Sequence, residues 1–257
     1  ASYKVENIIA SLRQEEDQKE AVLSNLRRNI KDYPKELLQL RDRLSAELQK
    51  QTAHPVQIDI LADVLEISES EEQWRNAVEG YLHLQKFYLL VEPQHYKRAV
   101  TIYDQMKQEY SRQSFGLVDI EKLREKETIV PRGDSLAKKI ETHNDLARTY
   151  IDYLLGRVVC CSRVDQLREH KISITAEGML YQGYVMRPIP KDRMEDAFIG
   201  RRAVDLRIAR LLSDLEAIKE GIHTWRPIFE QLDSQKNKEY VFSQYFVQST
   251  VVQRQEE

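Results

Sequence analysis

Cysteine is almost absent from this 257-residue chain: there are two, and they are adjacent, Cys160-Cys161. Two are too few for the disulfide framework of a secreted domain, so a reducing cytoplasm is the expected compartment. Structural zinc takes four Cys or His ligands, usually with Cys-x-x-Cys spacing. Neighbours on a strand point to opposite faces, so this pair cannot readily converge on one ion. The expectation is a strand in which one cysteine faces the core as a small hydrophobe. No stretch approaches the roughly 20 consecutive apolar residues of a membrane span, so no membrane partner is called for. Nor is there a charged-then-apolar signal segment at the N-terminus. None of the eight glycines is followed by lysine, which excludes a Gly-x-x-x-x-Gly-Lys-Ser/Thr phosphate loop. The chain as it stands is therefore not expected to hydrolyse ATP, and no cofactor or resident metal is implied.

The glycines that do occur are unevenly placed. Residues 1–53 have none, seven lie between Gly80 and Gly200, and only Gly221 follows. Glycine-poor ends around a glycine-bearing middle read as helix, compact domain, helix.

The ends carry heptads. Leu23, Leu26, Ile30, Tyr33, Leu37, Leu40, Leu44 and Leu48 follow steps of three and four on an otherwise charged segment. Backward, the seam passes Val5, Ile9 and Leu12, then weakens at Glu16 and Lys19. Val204, Ile208, Leu211, Leu215, Ile218, Ile222, Trp225, Phe229 and Leu232 repeat the pattern at the other end. The spacing predicts an N-terminal coiled-coil arm over 1–53 and a C-terminal one over 204–257, paired antiparallel within one chain. Leu40 and Leu44 would then lie near Ile208 and Leu211, and Leu23 and Leu26 near Phe229 and Leu232. Pro34 and Pro227 would fall at similar heights and bend the rod.

Residues 54–203 alternate differently. Strand-like 56–67 precedes a helix capped by Ser70. Strand 86–92, helix 95–110 and strand 115–120 come next, with a possible subdomain boundary between Tyr110 and Asp134. Helix 144–156, strand 157–161, a short helix and two strands joined near Tyr181-Gln182 complete the segment. The alternation predicts an α/β domain with a mixed sheet, in one piece or divided into two subdomains.

Several stretches in this segment carry a resemblance. "LADVLEI", "EEQWRNAVEGYL", "FYLLVEPQHYKRAVTIYDQMK", "GLVDIEKL", "ARTYIDYLLGRVVCC", "ITAEGMLYQGYVMRPI" and "FIGRRA" together resemble the hinge of SMC-like ATPases, nearest the MukB-like branch of Wadjet plasmid-defence systems. The resemblance covers Val56 to Ala203, and the arms fit as hinge-proximal coiled coil. It implies a homodimer joined at the hinge. The complete protein would be an ATPase that organises chromosomes or excludes plasmids by loop extrusion, working with kleisin-type and accessory subunits at the cytoplasmic nucleoid.

For the joining surface the residues point to "ITAEGMLYQGYVMR". Gly178 and Gly183 suit close backbone approach by an added strand, with Leu180, Tyr181 and Tyr184 beside them. An internal hairpin whose glycines serve its own turns is the bland alternative. Two other functions compete. Residues 54–200 hold 20 Lys and Arg against 24 Asp and Glu, so there is no general basic field. Lys171, Arg187, Lys191, Arg193, Arg201 and Arg202 could still form a local patch for double-stranded DNA, although Asp192, Glu195 and Asp196 are interspersed. A DNA-processing enzyme would need carboxylates such as Asp59, Asp63 and Glu66, with His54 nearby, to hold Mg²⁺. The strand alternation sets Glu66 apart from the other two.

Overall fold

The computed structural model describes residues 2–50, 52, 54–107, 109, 115–127 and 130–255. Ala53 and Tyr110, two of the expected boundaries, lie outside the described residues. Contacts divide the chain into two units, residues 1–30 with 208–257, and residues 31–207.

The first unit is a pair of antiparallel helices. α1 (Ser2–Arg27) lies against the stretch of the long helix Arg202–Gln255 that holds Asp214, Lys219 and Gly221. Lys19 Nζ is 2.8 Å from Asp214, and Lys219 Nζ is 3.7 Å from Glu16 and 3.5 Å from Glu20. Leu12 Cδ1 would touch a Cβ built on Gly221, at 3.5 Å. Val5, Leu23 and Leu26 are buried on α1, as are Leu215, Ile218 and Ile222 on its partner. The apolar seam thus follows the heptads, and where it weakens at Glu16 and Lys19, ion pairs to the opposite helix take its place.

The register differs from the expectation. Lys19 meets Asp214, whereas the heptads had set Leu23 and Leu26 beside Phe229 and Leu232. The cause is an early end to α1. The N–H of Asn29 donates to Leu26 O and that of Ile30 to Asn25 O, while Asn29 takes a left-handed φ of 60°. This is a Schellman stop, in which one αL residue satisfies the last carbonyls and turns the chain away. Ile30, expected on the seam, is exposed.

The leucines beyond the stop belong to the second unit. Pro34, at the N-cap position with φ −51°, starts α2 (Lys35–Gln49) rather than bending a rod. Leu37, Leu40, Leu44 and Leu48 are all buried, in one core with Tyr33, Val56, Ile58 and Ile102. Pro227 is the proline that does sit inside a helix. Counting six residues on from Gly221 places it opposite Glu6, so the two prolines do not form a matched pair.

The strand-like run 56–67 becomes β1 (Ile58–Ile60), a 3₁₀ turn and β2 (Glu66–Ile67). A second 3₁₀ segment, Glu69–Trp74, contains Ser70 and leads into α3 (Arg75–Leu82). β3 (Leu89–Val91) pairs antiparallel with β1, and α4 (Pro93–Met106) follows with proline in its first turn. Leu117 adds a parallel bridge to Leu89. A helix that the strand pattern did not suggest, α5 (Ile120–Lys126), is capped by Asp119, which accepts from the Lys122 N–H.

β4 (Ile140–Glu141) pairs with β2, and α6 (Asp145–Leu155) is capped by Asn144. β5 (Val159–Cys161), β6 (Ile172–Thr175), β7 (Met179–Gln182) and β8 (Val185–Pro188) form a sheet in that order, with β5 and β6 parallel and the rest antiparallel. The short α7 (Lys191–Met194) follows, and the long helix is α8 (Arg202–Gln255). The α/β unit with a mixed sheet is therefore as the alternation predicts. Cys161 is buried with Val159 and Leu167, and Cys160 faces the main core from the other side of β5. Burial pushes the Cys160 thiol up to about 12.

A buried ionic knot secures the segment between α7 and α8. Glu79 is fully buried, and its Oε1 accepts the N–H groups of Phe198 and Ile199, both at 2.8 Å. Its Oε2 accepts from Lys86 at 3.1 Å, and Lys86 also donates to the Asp196 carbonyl. Arg75 donates to Ile199 O at 2.6 Å. The Phe198 ring stacks on Tyr33 at 5.2 Å, and the Arg207 guanidinium lies 4.2 Å from it. Each buried charge is met by a countercharge or a backbone dipole, the condition under which such burial is tolerated.

Candidate interaction surface

The four-stranded sheet has two differently finished edges. On β5, Cys160 N–H donates to Asp134 O, and Ser135 bridges to Val159, so that edge is covered. β8 is the last strand on the other side, and no described residue pairs with its outer edge. Tyr184 is 94% exposed, Val185 57% and Met186 47%, an apolar group at an open strand edge. Such edges are templates for an added strand unless something blunts them. Pro188 is compatible with this position because edge strands tolerate a missing donor.

The expected joining residues separate when placed in the fold. Gly183 and Tyr184 form the hairpin turn, with φ of 59° and 63°. Positive φ at both central residues is what a two-residue type I′ turn needs. The turn lies two residues beyond the expected Tyr181-Gln182 junction. Gly178 has φ 83° and is buried, with Met194 Sδ only 2.2 Å from where a Cβ would stand. Its glycine serves its own fold, not a partner. Leu180 is likewise buried in the main core. Tyr181 is half-buried against the small Cys161 cluster. Of the five, Gly183 and Tyr184 are the ones on open surface. Val185 and Met186 belong with them; both lie inside the expected stretch, although the glycines and aromatics beside them drew the attention.

A second open edge lies at Leu117. The Gly116 carbonyl accepts from Leu89 N–H at 2.8 Å, and Val118 N–H donates to Leu89 O at 3.0 Å. The intervening Leu117 peptide groups therefore face away from β3. Beside them runs a groove of about 370 Å³, walled by Tyr88, Tyr150, Tyr153 and Lys122. The tyrosines form a ladder with 6.4 Å between successive rings. Burial holds the Tyr150 phenol far above its ordinary value, with its tyrosine neighbours adding to the effect, so it stays a neutral donor. Gly116 is required here, since a Cβ would stand 2.8 Å from the Tyr88 ring.

The basic candidates are all exposed, and several are already engaged by carboxylates. Lys191 pairs with Glu195 at 3.3 Å, and Arg202 lies 3.5 Å from Glu72. The backbone N–H of Arg201 is held by Glu66. Lys171 stands just before β6. Arg187 and Arg193 line one cavity. The carboxylates proposed for Mg²⁺ are dispersed. Asp59 accepts from Gln57 and Asn144, Asp63 from Lys31 and Tyr33, and Glu66 from Arg201. Among the described residues, no three His, Cys, Asp or Glu side chains are grouped to hold a metal. No described helix is long and apolar enough to cross a membrane.

No protein-family model matches the chain, and no curated protein matches it. Among solved structures it is similar to a Pyrococcus furiosus Smc hinge domain with an extended coiled coil, at 17% identity and TM-score 0.42, over 91% of this chain and 83% of that one. It is also similar to an asymmetric dimer of the Geobacillus stearothermophilus SMC hinge domain, at 13% identity and TM-score 0.46, over 90% and 94%. A third similarity is to the folded elbow of cohesin, at 10% identity and TM-score 0.43, over 90% of this chain and 36% of that one. With so few residues identical and superpositions this loose, the functional reading stands on the chain's own residues.

Proposed function

We propose that the chain is a hinge module of an SMC-like protein, joining two copies through the β8 edge. The observation that carries this reading is the unpaired apolar strand Val185–Pro188 with Tyr184 at its tip. A strand laid against an open edge gains main-chain hydrogen bonds, and its alternate side chains need pockets. The Leu117 edge, with its tyrosine groove, offers both to the β8 of a second copy. Each copy has one of each edge, so two reciprocal contacts close a twofold dimer and leave no open end. The sequence resemblance over Val56 to Ala203 supports the same reading, as does the return of the C-terminal helix beside the N-terminal one.

On the finer level, we place the chain with the MukB-like, Wadjet-type branch. The complete protein would then be an ATPase acting on DNA by loop extrusion, with kleisin-type and accessory subunits, at the cytoplasmic nucleoid. Light scattering is expected to give twice the 30.3 kDa of one chain. The pair Val185→Glu and Met186→Glu is expected to give a monomer with unchanged far-UV circular dichroism. A wild-type chain that keeps single-chain mass at high micromolar concentration overturns the reading.

A further inference from the structure

A cavity of about 570 Å³ opens where α3 ends, between the β7–β8 hairpin and the turn into α7. This volume is within the range of small-molecule sites. Its polar wall consists of Arg187, Arg193, His83, Gln85 and Gln182, with Tyr81 beside them. None of the twelve lining residues is acidic, in a segment where acids outnumber bases 24 to 20. Among the described residues, no carboxylate pairs with either arginine, whereas nearby Lys191 and Arg202 both have one. The side-chain amides of Gln85 and Gln182 are also without a protein partner there.

His83 adds an independent sign. It ends α3 with φ 45° and ψ −118°, a conformation a non-glycine residue adopts only when its surroundings impose it. His83 lines the same cavity. Burial, then Arg193 and Lys86, favour its neutral form against the opposing pull of Asp192 and Asp196. A neutral imidazole beside two guanidinium groups can donate one N–H without adding a third full charge. The rest of the lining is apolar, chiefly Leu154, Leu180 and Ile189.

We propose that this cavity binds a phosphomonoester of nucleotide size. Arg187 and Arg193 would hold the phosphate dianion, Gln85, Gln182 and His83 would donate to it or to its ester body, and the apolar wall would cover the organic part. Two unpaired guanidinium groups match a dianion because each offers a planar fork of donors to phosphate oxygens. Arg187 belongs to β8, the strand proposed to join two copies, but the cavity is lined by residues of one chain, so its binding can be tested whether or not that joint forms.

The probes are AMP, inorganic phosphate and a short single-stranded oligonucleotide with and without a 5′-phosphate. Calorimetry is expected to show AMP binding at least tenfold tighter than inorganic phosphate. Arg187→Gln and Arg193→Gln, both at exposed positions, are each expected to weaken AMP about tenfold without changing the melting temperature of the free protein. If AMP and phosphate both fail to bind, or bind the two variants as well as wild type, the proposal falls. Oligonucleotide binding that ignores the 5′-phosphate and displaces AMP would also overturn it, in favour of a nucleic-acid backbone site. Competition only by the 5′-phosphorylated strand would support the monoester reading.

Discussion

Leu23 and Leu40 lie on one apolar stripe of the sequence, yet they end in different kinds of structure. Leu23 lies in a two-helix seam where its neighbours Glu16 and Lys19 are charged. Leu40 is 0% exposed within a core that also contains strands β1 and β3. The same contrast holds for charge. Lys19 and Asp214 are a partly exposed pair, with 25% and 39% of their side-chain surface open, whereas Lys86 and Glu79 are at 2% and 0%. An apolar stripe states that a face must be covered, and a charge states only that it must be satisfied. Neither states by what.

The sharpest way to break the comparison is at the buried pair. Glu79→Ala leaves Lys86 uncompensated and frees the N–H groups of Phe198 and Ile199. Removing one partner of such a pair costs about 3–5 kcal/mol. Chemical denaturation of the 31–207 unit is expected to show a loss of that size. A loss below about 1 kcal/mol would mean that the knot is solvated.

Leucine truncation comes next. Leu40→Ala is expected to cost about 2–5 kcal/mol, as for other fully buried leucines. Leu23→Ala, in a two-helix seam that can partly close, is expected to fall at the lower end of that range or beneath it. Equal losses in parallel urea titrations would erase the distinction between seam and core.

The exposed pair should matter least to stability. Lys19→Ala is expected to cost about 0.2–1 kcal/mol, less at high salt. Its value is in fixing the register, because Lys19→Cys with Asp214→Cys should crosslink within one chain. Crosslinking instead of cysteines placed at Leu26 and Phe229 would restore the register that heptad counting favours.

A kinetic test sharpens the cysteine assignment without changing stability at all. With its thiol raised to about 12 by burial, Cys160 carries little thiolate at pH 8. A disulfide reagent is expected to label it slowly in the native state and quickly in urea. Fast native labelling would place it on open surface.

Much of the fold was legible from neighbours along the chain. Asn144 capping α6, the helix 93–106, the mixed sheet and the opposite faces of Cys160 and Cys161 all follow from short-range spacing. Some features were legible but missed. Asn29 five residues before Pro34 is a helix-stop signal, and Asp119 before a run of Lys and Glu is a cap. The candidate surface was half legible: the stretch 174–187 contains the exposed Gly183 and Tyr184, but Gly178 and Leu180, expected on the outside, are claimed by Met194 and the main core.

What the sequence by itself determined, then, is where helices and strands form and which of their faces need cover. Those properties depend on residues one to four positions apart, which any short window contains. Only the tertiary structure decided that Leu37 to Leu48 join a core while Leu23 and Leu26 join a seam. It alone brought Arg187 and Arg193 to one wall with His83, more than 100 positions away in the chain. The reason is physical: burial and electrostatic pairing are set by whichever groups the whole chain packs alongside, and spacing within one element does not specify them.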